Sequence, residues 1–381
     1  MYIYYQIRDD TLYIMLYAIV TVIAMQASCY LLFRQGNAFA KDITPPARLR
    51  RWTAAFFAVF VVNHLWYMGP TFFFTSSDAI MIANLVGGLL DCTTFFPLAI
   101  IVLLAMLQDR SRPLWPVAAI VAPLILGMGW CVVCRSNALF PVLIGYLLLM
   151  SICLIIYMVR ALRQYGIWLR DNYADLEHKE VWQSFVVLAI ILLVFCFYAS
   201  SGSGQSYEYL LQLNVVVLIG YLLWRVETLS DLSIPLSQNL PVEEPPTTEA
   251  EEVEGNGLSK TYRDSIGVLL QQHCIETQLY LQHDLNISQL AKTIGTNRFY
   301  LSQYLSNQGT TYNAYINGLR INHFMNLYSE AVDAIRPFTA QQLALECGFH
   351  SYRTFSEAFK RKMGLSVSAW IKAQNEGKES L

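Results

Sequence analysis

Seven apolar runs of near-bilayer length dominate the first 225 residues and leave few folds open to this chain. A helix needs roughly 20 apolar residues to cross about 30 Å of hydrocarbon. The chain is 55% hydrophobic and only 14% charged, whereas a typical soluble domain is about 25% charged. The sequence therefore predicts a seven-helix transmembrane domain over residues 1–225, with spans at about 12–33, 52–74, 80–107, 113–133, 139–159, 182–200 and 207–224. The third run contains Asp91 and Pro97 but is too short for two crossings, so it counts as one.

Lysine and arginine residues in the connecting segments predict the orientation of the bundle. Basic residues concentrate in 34–51, 108–112 and 160–181, whereas 75–79, 134–138 and 201–206 hold only Arg135. Basic loops remain in the cytoplasm. We therefore expect a multi-pass protein of the inner membrane, with its N-terminus outside and everything after Arg225 inside. The first run lacks a preceding basic stretch and a following cleavage site, so it is not a cleavable signal peptide.

Residues 226–258 change abruptly in character and predict a disordered acidic, proline-containing linker. Residues 243–254 carry six glutamates and no basic residue. Two interpretations are open: the linker is a plain spacer, or its glutamates compete with DNA for the basic region that follows.

A repeated motif follows in the C-terminal part, residues 259–381. Residues 289–295 read QLAKTIG and residues 342–348 read QLALECG, and a second helical pattern follows each copy. In each copy, apolar residues at helical spacing predict a short helix. Gly295 and Gly348 end these two helices, where a left-handed backbone conformation is expected. This is the plan of a helix-turn-helix, predicted here at about 285–306 and 338–363. A helix over about 310–329 lies between them and would span roughly 30 Å, close to the 34 Å or so between successive major grooves on one face of DNA.

Residues 285–372 resemble the DNA-binding domain of the AraC/XylS family of transcription regulators. The matching residues are LAKTIG; then Gly309, Tyr312, Tyr315, Ile316 and Arg320; then LALECGF, Ser351, Phe355, Phe359-Lys360 and Gly364. Phe324, Val367 and Trp370-Ile371-Lys372 depart from the usual pattern. The predicted fold class is therefore all-α, a polytopic transmembrane helix bundle followed by a double helix-turn-helix domain.

The resemblance implies that the exposed face of each second helix reads DNA. The implied base contacts are Arg298, Phe299, Ser302 and Gln303 in the first unit, and Tyr352, Arg353, Thr354 and Glu357 in the second. Arginine can pair with guanine, glutamine with adenine, and glutamate with cytosine. Lys360, Arg361 and Lys362 fit phosphate contacts. Phe299 and Tyr352 have a second interpretation, as core aromatic residues of short helices.

Two ionisable residues stand out in the predicted spans. His64 in the second span and Asp91 in the third lie near mid-depth on antiparallel neighbours, so they could meet. They indicate a polar ligand or proton site, or a buried hydrogen-bonded pair that only joins two helices. Cys131 and Cys134 form a CxxC without a second pair, so no metal site is predicted.

These patterns predict a membrane-embedded, one-component transcription regulator whose spans sense a signal. No catalytic constellation and no cofactor motif is present, so an enzyme is not expected. The predicted partners are double-stranded promoter DNA and the lipid bilayer, with RNA polymerase, a second copy of the chain and an unidentified small-molecule or membrane signal as further candidates. The alternatives are a transporter or channel with a regulatory tail, and an interaction module that kept the helix-turn-helix shape without binding DNA.

Overall fold

The computed structural model describes residues 10–34, 37–39, 43–74, 76–190, 205–232 and 260–379. Every regular element within these ranges is helical, so the predicted all-α class is confirmed. The chain divides into two compact units, residues 1–165 with 181–239 and residues 166–180 with 240–381.

The first unit is a bundle of apolar helices. They are α1 (Thr11–Phe33), α2 (Ala47–Phe73), α3 (Ser77–Leu90), α4 (Phe96–Ala105), α5 (Trp115–Cys134), α6 (Phe140–Asn172) and α7 (Gln205–Thr228). Within the described residues, five helices are long and apolar enough to cross a membrane, namely Thr11–Phe33, Ser77–Ala105, Trp115–Cys134, Phe140–Asn172 and Glu208–Thr228. The second predicted span corresponds to α2. Residues 182–190 of the sixth are helical, and its remainder lies outside the described residues.

The third predicted span is one continuous helix with a wider turn in its middle. Asp91–Phe95 form a π-helical turn between α3 and α4, and the Phe96 N–H bonds to the Asp91 carbonyl five residues earlier. Pro97 follows at once, lacks an N–H, and would clash with the carbonyl four residues before it in a regular α-helix. The wide turn relieves that clash without breaking the helix.

The predicted linker begins later than residue 226. Helix α7 continues to Thr228, and Val226, Glu227 and Leu229 are fully buried. The Glu227 carboxylate pairs with Arg50, with 3.4 Å between Oε1 and Nε. Residues 226–232 are therefore a packed end of the bundle, and the prediction of disorder is wrong for them. The rest of the predicted linker, residues 233–258 with the six glutamates of 243–254, lies outside the described residues.

The second unit carries the two predicted helix-turn-helix motifs. Its helices are α8 (Lys260–Leu270), α9 (Ile287–Thr293), α10 (Arg298–Asn307), α11 (Tyr312–Asp333), α12 (Ala340–Glu346), α13 (Tyr352–Met363) and α14 (Val367–Glu379). The pairs α9–α10 and α12–α13 are the two motifs, and α11 separates them. At 1.5 Å per residue the 22 residues of α11 extend about 33 Å.

Local capping signals fix where the helices of each motif begin. Thr339 and Gln342 form a capping box at the start of α12. Asn286 and Gln289 form an equivalent box at the start of α9. Gly295 and Gly348 end α9 and α12 with φ angles of +75° and +85°, as the sequence predicts.

Two apolar cores hold the motifs, one in each half of the domain. The first is built around α9, α10 and the start of α11 and includes Leu290, Leu301 and Leu305. The second is built around α12, α13 and the later part of α11 and includes Phe324, Phe355 and Phe359. Leu301 and Leu305 occupy the positions that the repeat pairs with Phe355 and Phe359, so the repeat preserves core positions.

Arg320 ties the middle of α11 to the turn before the first motif. It is fully buried, and its Nε donates to the Tyr280 carbonyl at 2.7 Å while Nη2 donates to the Gln282 carbonyl at 2.6 Å. Its guanidinium also lies 5.5 Å from the centre of the Phe349 ring. Burial lowers the pKa of Arg320. This arginine is therefore a structural clamp between the two halves of the domain.

Candidate DNA-binding surface

The second helix of each motif starts at a side-chain cap and turns one face outward. Asn297 caps α10 by accepting a hydrogen bond from the Tyr300 N–H at 2.9 Å. Ser351 caps α13 by accepting one from the Thr354 N–H at 3.3 Å. In a helix-turn-helix the N-terminal residues of the second helix are those that contact base edges.

The exposed face of α10 carries the predicted contacts of the first motif. Arg298 and Phe299 are exposed, and Ser302 and Gln303 are half-buried. The Phe299 side chain is 69% exposed, so its interpretation as a core residue is wrong. An exposed aromatic ring beside an arginine suits contact with a thymine methyl group.

The predicted contacts of the second motif divide between the surface and the core. Arg353 and Glu357 are exposed and pair with each other, at 3.2 Å between Arg353 Nε and Glu357 Oε1. Tyr352 is half-buried against the second core, and its ring centre lies 5.9 Å from that of Phe355. The Thr354 hydroxyl donates to the Ser351 carbonyl at 2.8 Å. Arg353 and Glu357 therefore form the exposed part of this face.

The basic run at the end of α13 is not uniform. Lys360, Arg361 and Lys362 are all exposed. In addition, Lys362 Nζ donates to the Gly318 carbonyl at 2.7 Å and to Asn322 Oδ1 at 2.6 Å, both on α11. Partial burial lowers the pKa of Lys362. The contact of Lys362 with phosphate stays a prediction, and in the structure its ammonium group bonds α13 to α11.

A group of polar residues that the sequence did not predict joins residues 166–180 to the rest of this unit. Asn313 and Asn317 of α11 both donate to the Ala174 carbonyl, and Ser351 donates to Glu177. One signal was present: Asn313 and Asn317 are four residues apart on a helix face that is otherwise buried. Buried amides need partners, but the pattern does not say where in the chain those partners lie.

His64 and Asp91 have separate partners in the membrane unit. His64 Nδ1 lies 2.8 Å from Thr21 Oγ1 and Nε2 lies 3.2 Å from Gln212 Oε1. Asp91 accepts from Asn63 Nδ2 at 2.8 Å and from the Tyr67 hydroxyl at 2.6 Å. The structure thus does not join His64 to Asp91. His64 links α2 to α1 and α7, and Asp91 links the π-helical turn to α2.

The hydrogen bond between Tyr67 and Asp91 depends on a close approach of the Tyr67 ring to Gly87. A Cβ at Gly87 would lie 2.7 Å from the Tyr67 ring, so glycine leaves room for the tyrosine in the position from which it reaches Asp91. Among the described residues no group of three or more His, Cys, Asp or Glu side chains could hold a metal ion.

Comparison with known proteins identifies one region of the chain. A family model described as a helix-turn-helix domain matches residues 290–373. No curated protein and no solved structure matches the chain significantly. The matched region begins in α9 and ends in α14, so it contains both motifs and α11. Residues 290–373 are an AraC-type helix-turn-helix domain, the type found in transcription regulators that bind double-stranded DNA.

Proposed function

We propose that this protein is a membrane-embedded transcription regulator in which one chain both senses a signal and binds promoter DNA. The observation that carries the proposal is the presence of an AraC-type domain in a chain whose described residues include five helices suited to crossing a membrane. The domain type is that of a DNA-binding regulator and not of an enzyme family. DNA binding requires residues 290–373 to face the cytoplasm, which agrees with the orientation that the basic loops predict.

The DNA-reading residues in this proposal lie on the outward faces of α10 and α13. Arg298, Phe299 and Gln303 serve the first half-site, and Arg353 and Glu357 serve the second. Lys360 and Arg361 contact phosphates. The salt bridge between Arg353 and Glu357 keeps both side chains on one face of α13, where each can meet a base edge of the same half-site.

The transmembrane part is the sensor in this proposal, with the polar contacts around His64 and Asp91 as its candidate site. Hydrogen-bonded polar groups inside an apolar bundle hold helices in one arrangement. A ligand or proton that changes these contacts would change the arrangement of α1, α2, α3 and α7. His64→Ala and Asp91→Asn are expected to abolish signal-dependent transcription; unchanged signal dependence in both variants would remove this part of the proposal.

The test of DNA reading begins with genome-wide mapping of the DNA bound by the tagged native protein. The full-length chain in nanodiscs is then titrated with the mapped duplex and with duplexes changed at single positions. Arg353→Ala should lose about 1–3 kcal/mol of discrimination at one base pair. Equal weakening on every sequence would show that Arg353 contacts phosphate, and no DNA binding at low salt would refute the proposed function. Glu330→Gln, at an exposed carboxylate of α11, serves as the control.

A further inference from the structure

Residues 166–180, here called the docking segment, connect two parts of the membrane bundle but belong to the same compact unit as the DNA-binding domain. We propose that the docking segment is an intramolecular ligand of that domain and competes with DNA at the N-terminal end of α13. This inference rests on the proposed function, since it assigns regulation to the same DNA-binding surface.

The docking segment is anchored in the first core of the domain. Ala174 is 2% exposed and lies in the apolar cluster that includes Leu290 and Ile316. Its carbonyl accepts from Asn313 Nδ2 at 2.6 Å and from Asn317 Nδ2 at 2.9 Å. Tyr173 forms an antiparallel bridge with Asn286, the cap of α9. Two buried amides that converge on one carbonyl make a specific receptor for this backbone position.

A charged contact joins the docking segment to the second motif. Glu177 Oε2 accepts a hydrogen bond of 2.6 Å from the hydroxyl of Ser351, the residue that caps α13. The N-terminus of a helix favours anions, because its free N–H groups and the helix dipole point there. The carboxylate of Glu177 and a DNA phosphate are both oxyanions, so both suit the position beside Ser351.

The net charge of the docking segment also opposes DNA. The docking segment holds four acidic residues (Asp171, Asp175, Glu177, Glu180) against Arg170 and Lys179, a net charge of −2. DNA brought to the start of α13 would therefore meet like charge there, which opposes its binding while the docking segment is in place.

The docking segment also continues directly from α6, which links it to the predicted fifth span. Helix α6 has 33 residues and is about 50 Å long, which exceeds the roughly 30 Å of bilayer hydrocarbon. The helix ends at Asn172, within the docking segment. A signal that shifts α6 would release or tighten the segment and so change the DNA affinity.

Hydrogen exchange on the full-length chain in nanodiscs tests the competition without any mutation. Saturation with the mapped duplex should raise the exchange of the amides of residues 172–178. Two sites that inhibit each other are usually coupled by roughly 5- to 150-fold, so a rise of that order is expected. Unchanged or slower exchange of these amides in the DNA complex would overturn the inference.

A charge-matched pair of variants provides the second test. Asp171→Asn combined with Glu177→Gln should bind the mapped duplex roughly five- to tenfold more tightly than wild type and should lose protection over residues 172–178. Glu276→Gln combined with Glu330→Gln changes two exposed carboxylates elsewhere in the same unit and is the control for net charge. An equal gain of affinity in both double variants would overturn the inference, because it would reflect net charge and not docking.

The same titrations separate the inference from the proposed function. Failure of wild type and of both double variants to bind any duplex at low salt would refute the DNA-binding function and the competition together. Binding by all three with equal affinity and unchanged protection would refute the competition and leave the DNA-binding function standing. Binding by the Asp171→Asn, Glu177→Gln variant with weak or absent binding by wild type would support the inference most strongly.

Discussion

At the level of single residues, Gly348 shows how strongly one position can constrain this domain. Its φ angle is +85°, and a Cβ there would lie 2.4 Å from the Leu281 carbonyl oxygen. Gly295 at the equivalent turn of the first motif has a φ angle of +75° but nothing within 4 Å of the added Cβ. The repeat predicted a left-handed glycine at both positions, but the contact with Leu281 depends on residues far away in the chain and could not be predicted.

Gly348→Ala should therefore destabilise the domain more than Gly295→Ala. Both substitutions place alanine in a left-handed conformation, which costs about 1–2 kcal/mol, and only the first adds a backbone clash. The buried thiols of Cys274 and Cys347 report opening of the domain. Thiol labelling of the full-length chain, read by peptide mass spectrometry, should be fastest in Gly348→Ala. Equal labelling rates in the two variants would contradict the role of Leu281.

Two neighbouring lysines of α13 should differ in what they contribute. Both are exposed, but only Lys362 is bonded to Gly318 and Asn322. Lys360→Ala should weaken binding on all DNA sequences and reduce the salt dependence of log K by about one. Lys362→Ala should leave the salt dependence unchanged and increase labelling of Cys347, because α13 loses its bond to α11. Salt titrations of both variants check this; a smaller salt slope in Lys362→Ala would show that Lys362 contacts phosphate.

At the level of helices, the local signals of the sequence were sufficient for the DNA-binding motifs and insufficient for the docking segment. Apolar spacing, the box at Thr339 and the glycine turns each involve residues within one helix, and α9 to α13 begin and end close to the predicted positions. The hydrogen bonds from Asn313 and Asn317 to Ala174 join residues about 140 positions apart. Only the folded chain shows such a contact.

The contact of α13 with the docking segment should depend on pH through His350. A hydrogen bond with Asp284 raises the pKa of His350, and the charge of Asp175 raises it further, while burial and Lys179 oppose the rise. The bond from His350 lowers the pKa of Asp284, and the His283 ring centre lies 5.1 Å from that of His350. These groups, on three parts of the unit, meet at the start of α13.

Of the groups that raise the pKa of His350, Asp284 belongs to the domain itself and Asp175 belongs to the docking segment. The Asp175 carboxylate lies 3.8 Å from His350 Nε2, so this pair stabilises the docked state fully below the ordinary histidine pKa of about 6.5 and loses that contribution as the pH rises through the raised value. Asp284, whose pKa is lowered, stabilises the folded unit above its ordinary pKa of about 3.9 and loses that stabilisation only in acid. The protection factors of residues 172–178, corrected for intrinsic exchange, should therefore fall as the pH rises above about 6.5. In His350→Gln this dependence should disappear; persistence of the full pH dependence would exclude His350 as its source.

At the level of the whole molecule, the sequence predicted a membrane part and a DNA-binding part because each follows from the composition of long segments. The helix Ser77–Ala105 was expected as one crossing in spite of Asp91 and Pro97, and its π-helical turn explains how both are accommodated. The sequence did not predict that residues 226–232 pack on the bundle, since their partners lie on other helices. Burial of Glu227 depends on Arg50 from another helix, which a local pattern does not reveal.

The predicted orientation of the chain, with the N-terminus outside and the C-terminal domain inside, can be tested with two cysteine positions in intact cells. Cys134 is exposed at the end of α5, beside the predicted outer loop 134–138. A cysteine introduced by Arg110→Cys lies in the predicted inner loop 108–112. A membrane-impermeant maleimide that passes the outer envelope should label Cys134 in intact cells and the introduced cysteine only after the inner membrane is permeabilised. The reverse pattern would put the domain of residues 290–373 on the side away from the chromosome, where it could not bind promoter DNA.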